Sequence, residues 1–166
     1  MKKLEPKYYI VYSLIIGIGI ALDQLTKWLS ATYLARVATV PIIKDVLHLT
    51  YVENRGAAFG MLADKRWIFI TVSAIAIVAI CFYLYTGRAE SMIYGVSFSL
   101  IASGGIGNMI DRLALGYVVD FIDFRLIDFA VFNGADSFVC IGAGLLIFSL
   151  IKDIIKESRK AKEEKK

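Results

Sequence analysis

The stretch WIFITVSAIAIVAICFYLY, residues 67–85, contains 19 residues without a charged side chain and lies between Arg66 and Arg88. An α-helix rises about 1.5 Å per residue, so this run is long enough to cross the ~30 Å hydrocarbon core of a bilayer. Thr71 and Ser73 provide almost all of its polar content. The run therefore predicts a membrane-spanning helix with a scaffolding role.

Three further apolar runs predict an all-α membrane protein with four transmembrane helices. The expected spans are residues 8–35, 67–85, 91–112 and 136–155, and the longer connections are segments 36–66 and 113–135. The first run resembles a signal peptide, but its helical pattern continues past Asp23 without a convincing cleavage site, so we expect an uncleaved helix. With 58% hydrophobic residues and no linker, the 166-residue chain is expected to form one integral membrane domain.

The distribution of lysine and arginine predicts the orientation of the helices. The two termini and the short connection at residues 86–90 carry 11 of these residues, whereas the two longer connections carry seven. Because cytoplasmic segments are enriched in basic residues, we expect both termini in the cytoplasm and the longer connections outside. The net charge of +4 comes from Lys and Arg that gather beside the apolar runs, and membrane topology explains this placement. We therefore do not expect a nucleic-acid partner.

Few residues in the chain are suited to metal or thiol chemistry. Cys81 and Cys140 lie within apolar runs, where a free cysteine behaves as a small buried hydrophobic residue. His48 is the only histidine, which excludes motifs with several histidine ligands, and we assign it a structural role. We expect neither a metal nor a cofactor.

The segment 36–66 combines a predicted strand with a run of small residues. Residues 47–52 alternate in the manner of a half-buried strand. In the following run ENRGAAFG, residues 53–60, Asn54 can donate and accept hydrogen bonds with an extended peptide, and Gly56 allows close backbone approach. From these residues alone, an ordinary hairpin turn fits equally well.

Polar residues near the ends of the first and third helices define a second region. Asp23 and Lys27 lie one helical turn apart and predict an ion pair, which either fixes the helix end or contacts a substrate or lipid headgroup. In the run SGGIGNMIDR, residues 103–112, small residues are followed by Asn108, Asp111 and Arg112 on one stripe. Helix packing explains the glycines, but the polar residues favour a site, because lipid exposure would leave Asn108 unsatisfied.

The stretch YVVDFIDFRLIDFAVFNGADS, residues 117–137, places four aspartates between the third and fourth spans. Asp120 lies in an apolar, β-prone run, where poor solvation should raise its pKa. Asp136 directly precedes the last span, at the expected N-cap, where backbone N–H groups and the helix dipole favour an ionised carboxylate. Two carboxyls with opposite preferences are suited to acid–base cleavage of a peptide bond. The residues alone leave Asp123 and Asp128 as rivals to Asp120.

Two other chemistries compete with this hypothesis. A Ser/Lys dyad would use Lys27 with a serine such as Ser103, but Asp23 one turn away should keep the lysine charged. A small proton- or ion-coupled transporter subunit would use Asp23, Asp111 and Asp136 as relay carboxyls. Because a relay needs acids spread across the membrane and these cluster at one end, we favour hydrolysis.

Five motifs in the chain resemble those of the bacterial lipoprotein signal peptidases, or signal peptidase II, in their order and spacing. They are DQLTK at 23–27, YVENRGAAFG at 51–60, GGIGNMIDR at 104–112, VVDFID at 118–123 and FNGADS at 132–137. The resemblance covers essentially the whole chain. It departs from the family at Gly134, where an apolar, frequently β-branched residue is more common.

The resemblance implies an aspartic endopeptidase whose catalytic pair is Asp120 and Asp136. It also implies residues that support this pair or the substrate: Asp23, Lys27, Asn54, Gly56, Asn108, Arg112 and Asn133. The implied fold is a four-helix bundle with a small β-cradle on the outer face. The implied substrate is a diacylglyceryl-modified prolipoprotein, cut just before the lipidated cysteine. Membrane lipid is the other expected partner, and we expect a monomer in the bacterial cytoplasmic membrane with its active site at the outer face.

Overall fold

The computed structural model describes residues 6–56, 65–87 and 91–164, which form four long helices and a three-stranded sheet. The elements in chain order are α1 (Pro6–Tyr33), β1 (Thr39–Ile43), β2 (Leu47–Asn54), α2 (Arg66–Tyr85), α3 (Met92–Ala114), β3 (Val118–Phe124) and α4 (Gly134–Glu163). Each of these four helices is long and apolar enough to cross a membrane. The predicted four-helix membrane fold with a small β-cradle is confirmed.

The helix bounds match the predicted spans within two residues, except at the end of α4. This helix continues to Glu163, well past residue 155, because the lysines and glutamates of the basic tail are good helix formers and no proline interrupts them. The predicted small-residue run at 57–60 and the connection at 88–90 lie outside the described residues.

The start of α4 corrects one prediction. The helix begins at Gly134, because Asn133 and not Asp136 is the N-cap. The side chain of Asn133 accepts the backbone N–H of Asp136 at 3.0 Å, and Asp136 Oδ2 accepts the backbone N–H of Asn133 at 3.2 Å. This reciprocal capping box makes Asp136 the third residue of the helix. The prediction that Asp136 is the N-cap is therefore wrong.

The three strands form an antiparallel sheet in the order β1-β2-β3. The strand predicted at residues 47–52 is confirmed and continues to Asn54. β2 pairs with β3 in a register that places Val52 opposite Asp120 and Asn54 opposite Val118. The sheet therefore brings the end of β2 to the strand that carries Asp120.

α3 is the central helix and packs against the other three helices. Most of its buried residues are glycine, alanine or serine, which allow neighbouring backbones to approach closely. At Gly104, a Cβ atom would collide with the backbone carbonyl of Ala135 in α4. The start of α4, including Asp136, is thus held directly against α3.

Replacing Gly104 by alanine should lower the melting temperature of the protein in detergent. The new methyl group would push against the Ala135 carbonyl, which is backbone and cannot rotate away. Overpacking of this kind costs about 1–3 kcal/mol. Gly144→Ala in α4 is the matched control, because a Cβ at Gly144 meets no atom within 4 Å. Equal melting temperatures for the two variants would contradict the close packing of α3 against α4.

Candidate active site

A cavity of about 570 Å³ opens between the sheet and helices α2, α3 and α4. Among the described residues, its polar lining consists of Asn54, Asn108, Arg112, Asp120, Asp136 and Ser137. Aromatic and aliphatic side chains form the rest of the wall, among them Phe69, Phe129, Phe132 and Ile141. An apolar cavity with a few convergent polar groups is the usual composition of a ligand site.

Asp120 projects from β3 into this cavity and is only 2% exposed. Its Oδ2 accepts a hydrogen bond from Asn54 Nδ2 at 2.9 Å, and its Oδ1 accepts one from Asn133 Nδ2 at 2.6 Å. Burial raises the pKa of Asp120 to about 6, and the nearby charge of Asp136 acts in the same direction, against the two amide donors. The predicted increase in this pKa is confirmed.

Asn133 and Asn108 connect Asp120 to Asp136. The Asn133 side chain, which is fully buried, donates to Asp120 and also to Asn108 Oδ1 at 3.0 Å. The backbone N–H of Asn133 donates to Asp136, and Asn108 Nδ2 donates to Asp136 Oδ1 at 2.8 Å. The two acids therefore belong to one continuous hydrogen-bond network.

Behind the cavity, Lys27 is surrounded by three oxygen acceptors. Its Nζ lies 2.9 Å from Asp23 Oδ2, 3.1 Å from Asp111 Oδ2 and 2.8 Å from Asn108 Oδ1. All four side chains are buried. Since an ammonium group has three N–H donors, Lys27 is fully satisfied here. This geometry favours the structural interpretation of the Asp23–Lys27 pair over direct contact with a substrate.

Asp23 also fixes the start of α4. Its Oδ1 accepts the backbone N–H of Ala135 at 2.8 Å, while its Oδ2 contacts Lys27. Asp23 lies so close to Gly107 of α3 that any side chain at that position would collide with its carboxylate. One carboxylate therefore ties α1 to the first turn of α4.

Asp111 lies on the polar stripe predicted for α3, and its contacts make it a supporting residue of the site. Its Oδ2 accepts the backbone N–H of Val119 at 3.1 Å, and its Oδ1 accepts Gln24 Nε2 at 3.0 Å. Because Val119 directly precedes Asp120, this contact attaches β3 to α3 beside the candidate acid.

Arg112 connects the cavity to the end of β2. Its Nη2 donates to the carbonyl oxygen of Gly56 at 3.3 Å, and its guanidinium lies 4.9 Å from the centre of the Phe69 ring. Gly56 in turn donates its backbone N–H to Asn54 Oδ1 at 2.9 Å. Gly56 therefore orients Asn54, whose amide nitrogen is left to donate to Asp120.

The two rival aspartates are not part of the cavity lining. Asp123 Oδ2 accepts hydrogen bonds from Thr50 at 2.7 Å and from Arg125 at 2.9 Å. Burial acts to raise the pKa of Asp123, but these donors hold that pKa below its usual range. Asp128 is exposed and has a left-handed backbone with φ of 49°. Asp120 is thus the candidate that shares the cavity with Asp136.

The two cysteines and the histidine differ in their surroundings. Cys140 is exposed and lines the cavity one turn after Asp136, so the expectation that it is buried is wrong. Apolar runs of a membrane helix face lipid as well as protein, and they do not by themselves predict burial. Cys81 is partly buried. His48 is buried, with Nδ1 3.3 Å from Thr39 Oγ1, as expected for a structural residue.

The carboxyls of the transporter hypothesis lie in this same network. Asp23 and Asp111 share Lys27, and Asp136 is connected to Lys27 through Asn108. They are therefore clustered at one end of the bundle and do not form a series across it.

Replacing Lys27 by methionine should strongly destabilise the fold, because two buried carboxyls would lose their cation. Removing one partner of a buried ion pair costs about 3–5 kcal/mol. Arg125→Gln is the control, because Arg125 pairs with Asp123 while 41% exposed, and exposed pairs contribute about 0–1 kcal/mol. Thermal unfolding in detergent compares the two variants. Similar losses would contradict a central role for Lys27.

The chain matches the family described as Signal peptidase (SPase) II over residues 15–152. A lipoprotein signal peptidase of Clostridioides difficile is 51% identical over 137 residues, covering 82% of this chain and 91% of the relative. The lipoprotein signal peptidase of Caldanaerobacter subterraneus is 47% identical over 137 residues, covering 82% and 93%. That of Halalkalibacterium halodurans is 39% identical over 160 residues, covering 95% and 97%.

Two solved structures share the fold. Both are bacterial membrane enzymes determined by the in meso method, one at 2.3 Å and one at 1.9 Å resolution, and their TM-scores are 0.82 and 0.79. Each is 35% identical and covers 92% of this chain, which in turn covers 93% and 97% of them. The sequence match over most of the chain and the shared fold together lead to one conclusion: the chain belongs to the signal peptidase II family of membrane peptidases.

Proposed function

We propose that this peptidase is an aspartic endopeptidase that removes the signal peptide from diacylglyceryl-modified prolipoproteins, cutting just before the lipidated cysteine. The observation that carries the proposal is the connection of Asp120 and Asp136 through Asn133 at the wall of one cavity. The substrate class is supported by the relatives named lipoprotein signal peptidase.

In the proposed reaction the two acids share one proton. In the reactive form Asp120, whose pKa burial raises to about 6, carries this proton and donates a hydrogen bond to the scissile carbonyl oxygen. Asp136 takes a proton from a water molecule, whose oxygen attacks the carbonyl carbon and gives a tetrahedral intermediate. Proton transfer to the leaving nitrogen then accompanies cleavage of the C–N bond. Water supplies the new carboxyl oxygen, so no covalent adduct with the enzyme forms.

The surrounding residues position this pair. Asn54 and Asn133 hold the two oxygens of Asp120, and Asn108 holds one oxygen of Asp136. Arg112 provides a positive charge that acts on both carboxylates. Preorganised donors and charges of this kind stabilise developing charge without reorganisation during the reaction.

The cavity also fits a substrate that enters from the bilayer. Asp136 lies in the first turn of a membrane-spanning helix, so the carboxyls belong near the headgroup boundary. A protein carrying two acyl chains diffuses laterally at this depth and can reach the cavity without leaving the membrane. The excess of Lys and Arg at the termini supports cytoplasmic termini and an outward-facing site in the bacterial cytoplasmic membrane. One chain supplies all the residues named for the site, which is consistent with a monomer.

Asp120→Asn and Asp136→Asn should each lower cleavage by at least about 10²–10⁴-fold, because each removes a proton donor or acceptor of the reaction. Mass spectrometry of the new N-terminus of a purified diacylated prolipoprotein measures the product. Asp123→Asn and Asp128→Asn are matched controls that should keep activity. The melting temperature of each variant verifies folding. Normal cleavage by either variant of the pair would refute the mechanism.

The pH profile should show a loss of kcat/KM as the pH rises through the pKa of Asp120, about 6 in the free enzyme, because the shared proton is lost. Asn54 donates to Asp120 and so favours its ionised form. Asn54→Ala should therefore move this limb to higher pH by about one unit. Thr50→Val removes a donor to Asp123 and should leave the limb in place. An unchanged limb in Asn54→Ala would exclude Asp120 as its origin.

A further inference from the structure

A second groove, of about 640 Å³, lies at the end of the bundle opposite the paired acids. It is formed by Ser91, Ile93 and Tyr94 at the start of α3 and by residues between 148 and 160 on α4. The lining changes along α4 from apolar side chains, Phe148 and Leu150, to charged ones. The groove thus has an apolar part toward the bilayer and a charged part beyond it.

Three lysines give the charged part its character. Lys152, Lys156 and Lys160 follow at four-residue intervals, so they share one face of α4 and all line the groove. Within the part of the chain that the structure describes, none of them forms an ion pair. These ammonium groups are therefore available to an external anion.

Two acidic residues also line the groove but do not cancel the lysines. Asp153 accepts a hydrogen bond from the hydroxyl of Tyr94 at 2.6 Å, and among the described residues Glu157 is the other acid in the lining. The first turn of α3 adds the positive end of its helix dipole, and the side chain of Ser91 does not cap it. The described part of the groove lining is thus net positive.

The depth of the groove matches the headgroup region of one leaflet. Asp136 and Lys156 lie on the same helix, and the 20 residues between these positions correspond to ~30 Å along its axis. This is about the thickness of a bilayer hydrocarbon core. Tyr9 and Tyr85 stack at the same end, with ring centres 6.1 Å apart. Tyrosine is enriched at membrane–water interfaces.

We propose that this groove binds an anionic phospholipid. The phosphate would lie among Lys152, Lys156 and Lys160, and an acyl chain would pack against Phe148 and Leu150. Basic pockets at the headgroup level of membrane proteins are suited to anionic lipids, and an adjoining apolar wall distinguishes a lipid from a soluble phosphate. A lipid held here would restrain the depth of α4, which carries Asp136 at its other end.

The test is a titration of the full chain in detergent, with bound lipid counted by native mass spectrometry. Phosphatidylglycerol, phosphatidylcholine with the same acyl chains and inorganic phosphate are the three probes. We expect phosphatidylglycerol to bind in preference to the other two. Lys152→Gln/Lys156→Gln should weaken it about thirtyfold, because each lysine near an anionic headgroup contributes about fivefold.

The matched control is Arg159→Gln/Lys162→Gln, which removes the same charge from residues outside the groove lining and should weaken binding less than fivefold. Lys152→Arg/Lys156→Arg should retain binding, which separates loss of charge from loss of folding. Equal weakening in the two glutamine variants would contradict a defined site in the groove and would indicate a general attraction of the lipid to the basic tail. Equal binding of phosphatidylcholine, or competition by inorganic phosphate at similar concentration, would also overturn the proposal. Asp136→Asn should bind phosphatidylglycerol normally, so the result is independent of the proposed catalysis.

Discussion

Polar groups buried in an apolar bundle must find partners within the protein, and the Lys27 ammonium satisfies this requirement for several elements at once. It joins Asp23 of its own helix to Asp111 and Asn108 of α3. The same two carboxylates hold backbone N–H groups of α4 and β3, at Ala135 and Val119. Because an unpaired charge at this depth is very costly, these contacts leave little freedom in how the helices and the sheet assemble.

The candidate acids depend on this assembly because each lies next to one of those anchored backbone groups. Val119 precedes Asp120, and Ala135 precedes Asp136. The two anchors fix the backbone beside Asp120 and beside Asp136, and Asn133 then bridges the two carboxyls. Burial of Asp120 next to a second acid is unfavourable for its ionised form, which the raised pKa reflects. In the proposed reaction this cost is useful, because it raises the pH up to which the pair keeps a proton.

The pattern of residues along the chain predicted features that depend on one segment, but it missed several that depend on neighbouring segments. Uninterrupted apolar runs predicted the four helices, since few other structures satisfy the backbone of such runs in lipid. The N-cap of α4 was misplaced because Asn133 and Asp136 are both good capping residues, and only the backbone geometry distinguishes them. The contact of Asp111 with Val119, and the exposure of Cys140 to the cavity, depend on neighbouring elements. Periodicity within one helix carries no information about which neighbour a face meets.

α4 places Asp136 at a defined depth. The helix has 30 residues, about 45 Å in length, which exceeds the ~30 Å hydrocarbon core, so its charged end must extend beyond the membrane. Ala135, in the first turn of α4, packs closely against Gly104 of α3. The first turn of α4 cannot slide along α3 without breaking this contact. A carboxyl fixed near one headgroup boundary can act only on bonds presented at that depth. In the proposed function, the diacylglyceryl group would hold the scissile bond at the same level, so the lipid would select the substrate by position as well as by contact.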